Sequence, residues 1–130
     1  MEKKTVLGAA FLLLTLVWVV PAKAQTEEVK PEVAAKVRTT VADYVQREEQ
    51  LKGGFFLRDS QDKTIRDLQF DYVHEGVEKT QDNLYSVCVD LLDTSKNRLD
   101  VDFYLQPTSS GNFQVSTIKI HKVNGVERKD

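Results

Sequence analysis

The stretch Val89–Phe103, VDLLDTSKNRLDVDF, decides the fold. It lies inside two runs of period two. In the first, Val87, Val89 and Leu91 alternate with Cys88, Asp90 and Leu92. In the second, Leu99, Val101, Phe103 and Leu105 alternate with Asp100, Asp102, Tyr104 and Gln106. Such alternation marks half-buried strands, and TSKN between them is turn chemistry. If both apolar sets face one core, odd residues must pair with odd, because a one-residue slip turns a whole strand inside out. A turn centred near Lys96 meets that condition. It sets Val89 opposite Phe103 and Asp90 opposite Asp102.

The four aspartates in this stretch raise the question of calcium. An EF-hand loop beginning at Asp93 needs acidic or amide side chains at its third and fifth positions, glycine at the sixth and glutamate at the twelfth. Ser95, Asn97, Arg98 and Tyr104 stand there, and only Asn97 fits. Asp90, Asp100 and Asp102 therefore read as the wet side of a hairpin.

Outward from the hairpin the same period continues. FFLRD (Phe55–Asp59), the long TIRDLQFDYVHEGVEK (Thr64–Lys79), NLYSVCVDLLD (Asn83–Asp93), LDVDFYLQ (Leu99–Gln106) and FQVSTIKIHKV (Phe113–Val123) are strand candidates. Short connectors such as TQDN and PTSSGN imply an antiparallel meander. Upstream the period changes. Val33, Val37, Val41, Tyr44, Val45 and Leu51 recur at helical steps among charged residues, with Pro31 suited to the first turn and Gly53-Gly54 as the stop. The expected fold is α+β: one N-terminal amphipathic helix packed on a curved four- to five-stranded antiparallel β-meander. Val37, Val41 and Tyr44 should pack on Val87, Val89, Val101 and Phe103.

This order resembles the cystatin-like and NTF2-like α+β architectures, at the level of fold. Cystatin inhibitors carry a Gln-x-Val-x-Gly hairpin; the nearest stretch here, Gln114-Val115-Ser116-Thr117-Ile118, lacks its glycine, so inhibition does not carry over. Such folds host many unrelated functions.

The chain opens with two lysines, Lys3 and Lys4, then an uncharged, mostly apolar run Thr5–Val20, Pro21 and Ala22-Lys23-Ala24. That is the pattern of a secretory signal peptide cleaved between Ala24 and Gln25. The expected organisation is a leader at 1–24, a polar lead-in at 25–31 and one domain at 32–130, exported to the periplasm or the exterior. Of 18 basic and 20 acidic side chains the mature chain keeps 15 and 19, a net charge of −4. A mildly acidic chain without basic clusters argues against nucleic acid and, after cleavage, against membrane surfaces. Cys88 is the only cysteine, so no internal disulfide is possible, and a buried thiol is expected.

Candidate chemistry is sparse. A preceding hairpin centred near Asp82 would set His74 opposite Asp90 and Gly76 opposite Cys88, giving a row His74–Asp90–Asp102 across three strands. That row has three uses: charge compensation between facing aspartates, a histidine acid/base group, or a metal site of one imidazole and two carboxylates. His121, between lysines, is expected at the surface without a role. No cofactor-binding motif is present: glycine-rich phosphate loops, serine elbows and Cys-His pairs are all missing. Leu68, Phe70 and Tyr72 oppose Val73 and Val77 in parity, as Phe113 and Val115 oppose Ile118 and Ile120. Either each long strand is bulged, or the outer sheet face carries an apolar patch for a second copy or a ligand. The leading functional expectation is a non-catalytic binding or accessory domain for a protein or small-molecule partner. The alternatives are a small NTF2-like hydrolase or isomerase using His74 with Asp90 or Asp102, and a homodimer through the outer sheet face.

Overall fold

The structure is a computed structural model that describes residues 8, 16–19 and 27–129. The expected cleavage site at Ala24 and most of the leader lie outside the described residues. Helix α1 spans Pro31–Lys52 with Pro31 in its first turn, so Pro31 belongs to the helix and not to the lead-in. Its end is set by Gly53, whose φ of 75° closes the last turn with a hydrogen bond from its N–H to the Glu49 carbonyl. Left-handed backbone costs a glycine nothing, which is why the helix stops there.

Six strands follow: β1 Phe55–Asp59, β2 Thr64–Lys79, β3 Tyr85–Asp93, β4 Arg98–Pro107, β5 Phe113–Val123 and β6 Val126–Glu127. They form one open antiparallel sheet in sequence order. The count is six, not the expected four to five. β6 has only two residues, too few to show a period. Its signal was the Asn124-Gly125 pair, which carries positive φ at both positions as a tight hairpin requires.

Period-two reading put the correct residues inside. Val37, Val41 and Val45 meet Val87, Val89, Leu91, Leu99, Val101, Phe103 and Leu105 in one core with Phe55, Leu68 and Val73. Tyr44 sits at the margin, its ring edge-on to Phe55 and Phe103 at 6.3 and 6.4 Å. Leu51, expected on the buried stripe, is exposed: the last turn meets the sheet through Glu49, which accepts from the Phe70 N–H, and a residue two positions on points to the opposite side of the helix.

The two long strands are bulged. In β2, Phe70 pairs with Leu91 and Tyr72 with Asp90, leaving Asp71 extra. Then Val73 pairs with Val89 and Val77 with Val87, so His74, Glu75 and Gly76 share the space opposite Cys88. β5 has extra residues at Ser116 and His121. Each extra residue changes which parity faces the helix. Leu68 is thus buried, and Phe70, Ile118 and Ile120 pack against the core. The apolar patch that these four would have formed on the outer face does not exist.

The edges of the sheet approach each other at one end. Gln61, in the β1–β2 turn, donates to the Lys129 carbonyl at 2.5 Å, and Arg128 reaches Gln61 and Asp62. Beneath this contact, Arg66 of β2 holds Asp59 at 2.8 Å, Asp62 at 2.6 Å and Asp93 at 3.0 Å. Nothing in the sequence periodicity pointed to this cluster, since its members come from three separate turns and strands.

Candidate functional site

The hairpin that opened the sequence reading has the expected parity and a different register. Val89 pairs with Val101, Asp90 with Asp100, and Cys88 with Asp102. The cause lies in Asp93. Its Oδ1 accepts from the N–H groups of Ser95 and Asn97, and its Oδ2 from the Asn97 amide and from Arg66. Lys96 then takes φ 65° and the turn centres one residue earlier than expected. Asp93 is a turn cap, which is what short polar side chains do beside unpaired backbone donors.

The expected row therefore splits. His74 does meet Asp90, Nε2 to Oδ1 at 2.7 Å, although the ladder pairs Asp90 with Tyr72 and leaves His74 in the bulge. The bulge in β2 brings the imidazole diagonally across to it. Asp102 is not opposite Asp90; it faces Cys88 across the β3–β4 ladder. The other oxygen of Asp90 accepts from Arg98, which also lies 3.6 Å from Asp71. Asp90 is only 5% exposed. Burial pushes its carboxyl up, but hydrogen bonds from His74 and Arg98 outweigh burial and hold it below the ordinary range. The facing aspartates are compensated by His74 and Arg98 on one side. On the other, the register sets Lys122 across from Asp100 and Lys119 across from Asp102.

Between these groups the outer face of the sheet forms a hollow of about 420 Å³. Four strands contribute to it: His74 from β2, Cys88 from β3, Asp100 and Asp102 from β4, and His121 from β5. His121 was expected at the surface without a role. It does lie on the outer face, its side chain 42% exposed, and as the extra residue in β5 it also approaches the hollow, its Nδ1 3.5 Å from Asp102 Oδ2. Cys88 is half-buried, not enclosed as expected. Burial first, then the charges of Asp102, Asp100 and Asp90, push its thiol up to about 12. Cys88, Asp90 and Asp102 share one parity of their strands, so their common face was legible in the sequence. The arrival of His74 and His121 was not, because it depends on the bulges.

Asp102 is held against its own preference. Burial, with Asp100 and Glu78 nearby, raises its carboxyl more than His121 and the Cys88 thiol lower it. A raised carboxyl disfavours the ionised form in the folded state. The cost is present above the folded value and vanishes below the unfolded one. Asp102→Asn is therefore expected to raise the melting temperature near neutral pH, with the gain shrinking as pH falls into the ordinary carboxylate range. Thermal melts of both proteins across pH test this, and a lower midpoint for the variant at pH 7 would contradict it.

A second recess lies under the helix. Ala35, Arg38, Ala42, Phe70 and Tyr72 line a cleft of about 350 Å³. It gathers Arg38, Asp71 and Tyr72, against the eight titratable side chains of the outer hollow.

Compared with known protein families, with curated proteins and with solved structures, the chain matches none of them. The class that the fold itself defines is α+β, a single helix on an antiparallel meander.

Proposed function

We propose that this chain is a small exported binding domain without catalytic activity, and that the hollow on the outer sheet face is its binding surface. The observation that carries this reading is Asp102. Burial works against its charge, yet it stays beside Cys88 and His121 in an open recess. Proteins accept such local costs where a polar group is used. The hollow is wide, shallow and lined by side chains of mixed charge, as a surface for recognition needs to be. An enclosed apolar pocket around the histidine–aspartate pair would have suited catalysis better. Export is supported by the leader pattern and by Leu16–Val19, whose apolar side chains stand exposed and unused by the domain. No described helix is long and apolar enough to cross a membrane. The order of one helix followed by a meander supports a cystatin-like architecture.

A second reading rests on the 2.7 Å contact between His74 and the buried Asp90. A carboxylate that orients an imidazole is the support a general base requires. Arg98 on the same carboxylate weakens this arrangement, because it draws off the charge that would sustain an imidazolium.

The test is a map of binding by NMR. Isotope-labelled protein is titrated with the low-molecular-mass fraction of an envelope extract. Amide shifts are expected at Ser86, Cys88, Asp102 and His121. Shifts confined to Ala35, Phe70 and Tyr72 would move the site to the helix cleft, and an unchanged spectrum would overturn the assignment of the hollow.

A further inference from the structure

Two residues that line the hollow, His74 and Cys88, converge with the buried Asp90 beside it, and three ligand types meet there. One imidazole nitrogen of His74, the Cys88 sulfur and a carboxylate oxygen of Asp90 all lie within 4.8 Å of one another. We propose that His74, Cys88 and Asp90 bind a divalent transition ion of the zinc class. This deepens the binding-domain reading by naming a ligand for its surface.

The sheet explains why these residues can meet. Cys88 and Asp90 are two apart on β3, so both side chains leave the same face. The β2 bulge places His74 opposite Cys88. A strand pair thus presents two ligands along one strand and a third from its neighbour. Imidazole, thiolate and carboxylate together suit zinc, with a water or a fourth side chain completing a tetrahedron. Around a tetrahedral ion, ligand atoms at about 2.0–2.3 Å from the metal stand roughly 3.3–3.7 Å apart. His74 and Asp90, now at 2.7 Å, must part by a few tenths of an ångström or slightly more. The His74 side chain is 42% exposed and on a bulge, so its ring has room on the solvent side to shift, at the cost of its present contact with Asp90.

Two further features bear on the site. Asp90 Oδ2 is held by Arg98, whose positive charge works against a second cation but which fixes the carboxylate from behind and leaves Oδ1 to serve as ligand. That is the supporting role that outer hydrogen bonds play around metal sites. The walls also carry excess negative charge: Glu78, Asp100 and Asp102 against Lys122 alone among lysines and arginines. On binding, His74 gives up the Nε2 proton it now donates to Asp90; that proton leaves to water or is replaced by one on Nδ1, so that the ion takes the freed lone pair. The thiol proton of Cys88 leaves to water as the metal–sulfur bond forms. No oxidation state changes.

The experiment uses cobalt(II) as a coloured stand-in for zinc, added to the purified metal-free protein under reducing conditions. One equivalent is expected to produce a thiolate-to-cobalt charge-transfer band and the visible bands of a four-coordinate ion, all discharged by zinc. Cys88→Ser removes the charge-transfer band. His74→Gln, at a half-exposed site and so safe for folding, weakens binding about ten-fold or more. Lys96→Gln, in the exposed β3–β4 turn and outside the hollow, leaves affinity unchanged. A missing thiolate band, a band that survives Cys88→Ser, or an affinity indifferent to His74 overturns the proposal. These outcomes are separate from the NMR map: a hollow that binds an organic solute but no cobalt keeps the binding-domain reading and loses only the metal.

Discussion

Val101→Asp yields a chain that does not fold. Val101 is fully buried in β4, paired with Val89 and Ile120 on the helix side of the sheet. Removing its apolar contacts loses about 1.5–3 kcal/mol. The larger effect is the carboxylate. No basic side chain is among the residues of this core, and a buried unpaired charge costs several kilocalories even after the structure relaxes. The sum rivals the roughly 5–15 kcal/mol that holds a domain together. Circular dichroism should show loss of sheet signal at every temperature, while Val101→Ala folds with a lowered midpoint. A well-folded Val101→Asp with a near-native melt would mean that this strand face is not the core face.

Arg66→Met should produce the next largest loss, about 3–5 kcal/mol near neutral pH. Arg66 satisfies three carboxylates, and one of them, Asp59, is 1% exposed. Without Arg66, Asp59 keeps the ion pair with Arg128 at 3.2 Å but loses its shorter one. The pH dependence has a definite sign. Burial pushes Asp59 up, but Arg66, the backbone N–H groups of Asp62 and Gln61, and Arg128 together hold it below the ordinary value. Asp93 is likewise raised by burial and lowered further by Asn97, Ser95 and Arg66. Depressed carboxyls stabilise fully above their unfolded value of about 3.9 and lose that contribution as pH falls through the lower folded value. The wild type should therefore lose stability steeply in acid, and the gap to Arg66→Met should narrow there. Denaturant titrations at several pH values measure both. A variant as stable as wild type at pH 7 would show that the cluster carries no weight.

This cluster bears on how the domain holds its shape. Sheet edges β1 and β6 share no ladder, and the strand order leaves the sheet open. The turn at Asp59–Asp62, the cap at Asp93 and the tail at Arg128 are tied through Arg66 and its neighbours instead. Ion pairs at this end tie the segments together as a disulfide would, and with one cysteine the chain can form no internal disulfide. At the outer face the hollow spends some of that stability on Asp102.

Local sequence determined the helix, its stop at Gly53, five of the six strands and the face that each hairpin strand turns to the core. These are properties of short period and of single residues: 3.6 for α1, two for β3 and β4, and positive φ at a glycine. A two-residue error in register left that face intact, because parity survives an even shift. The site was legible only in part. Cys88, Asp90 and Asp102 share a parity that anyone can count. Asp93 fixed the register through local turn hydrogen bonds that periodicity does not read, moving Asp102 from Asp90 to Cys88. Tertiary structure decided the rest. Bulges in β2 and β5 brought His74 and His121 into the hollow. A bulge forms where the coiled sheet and the helix above it demand a change of face, and that demand comes from packing between elements distant in the chain, which no window of neighbouring residues contains.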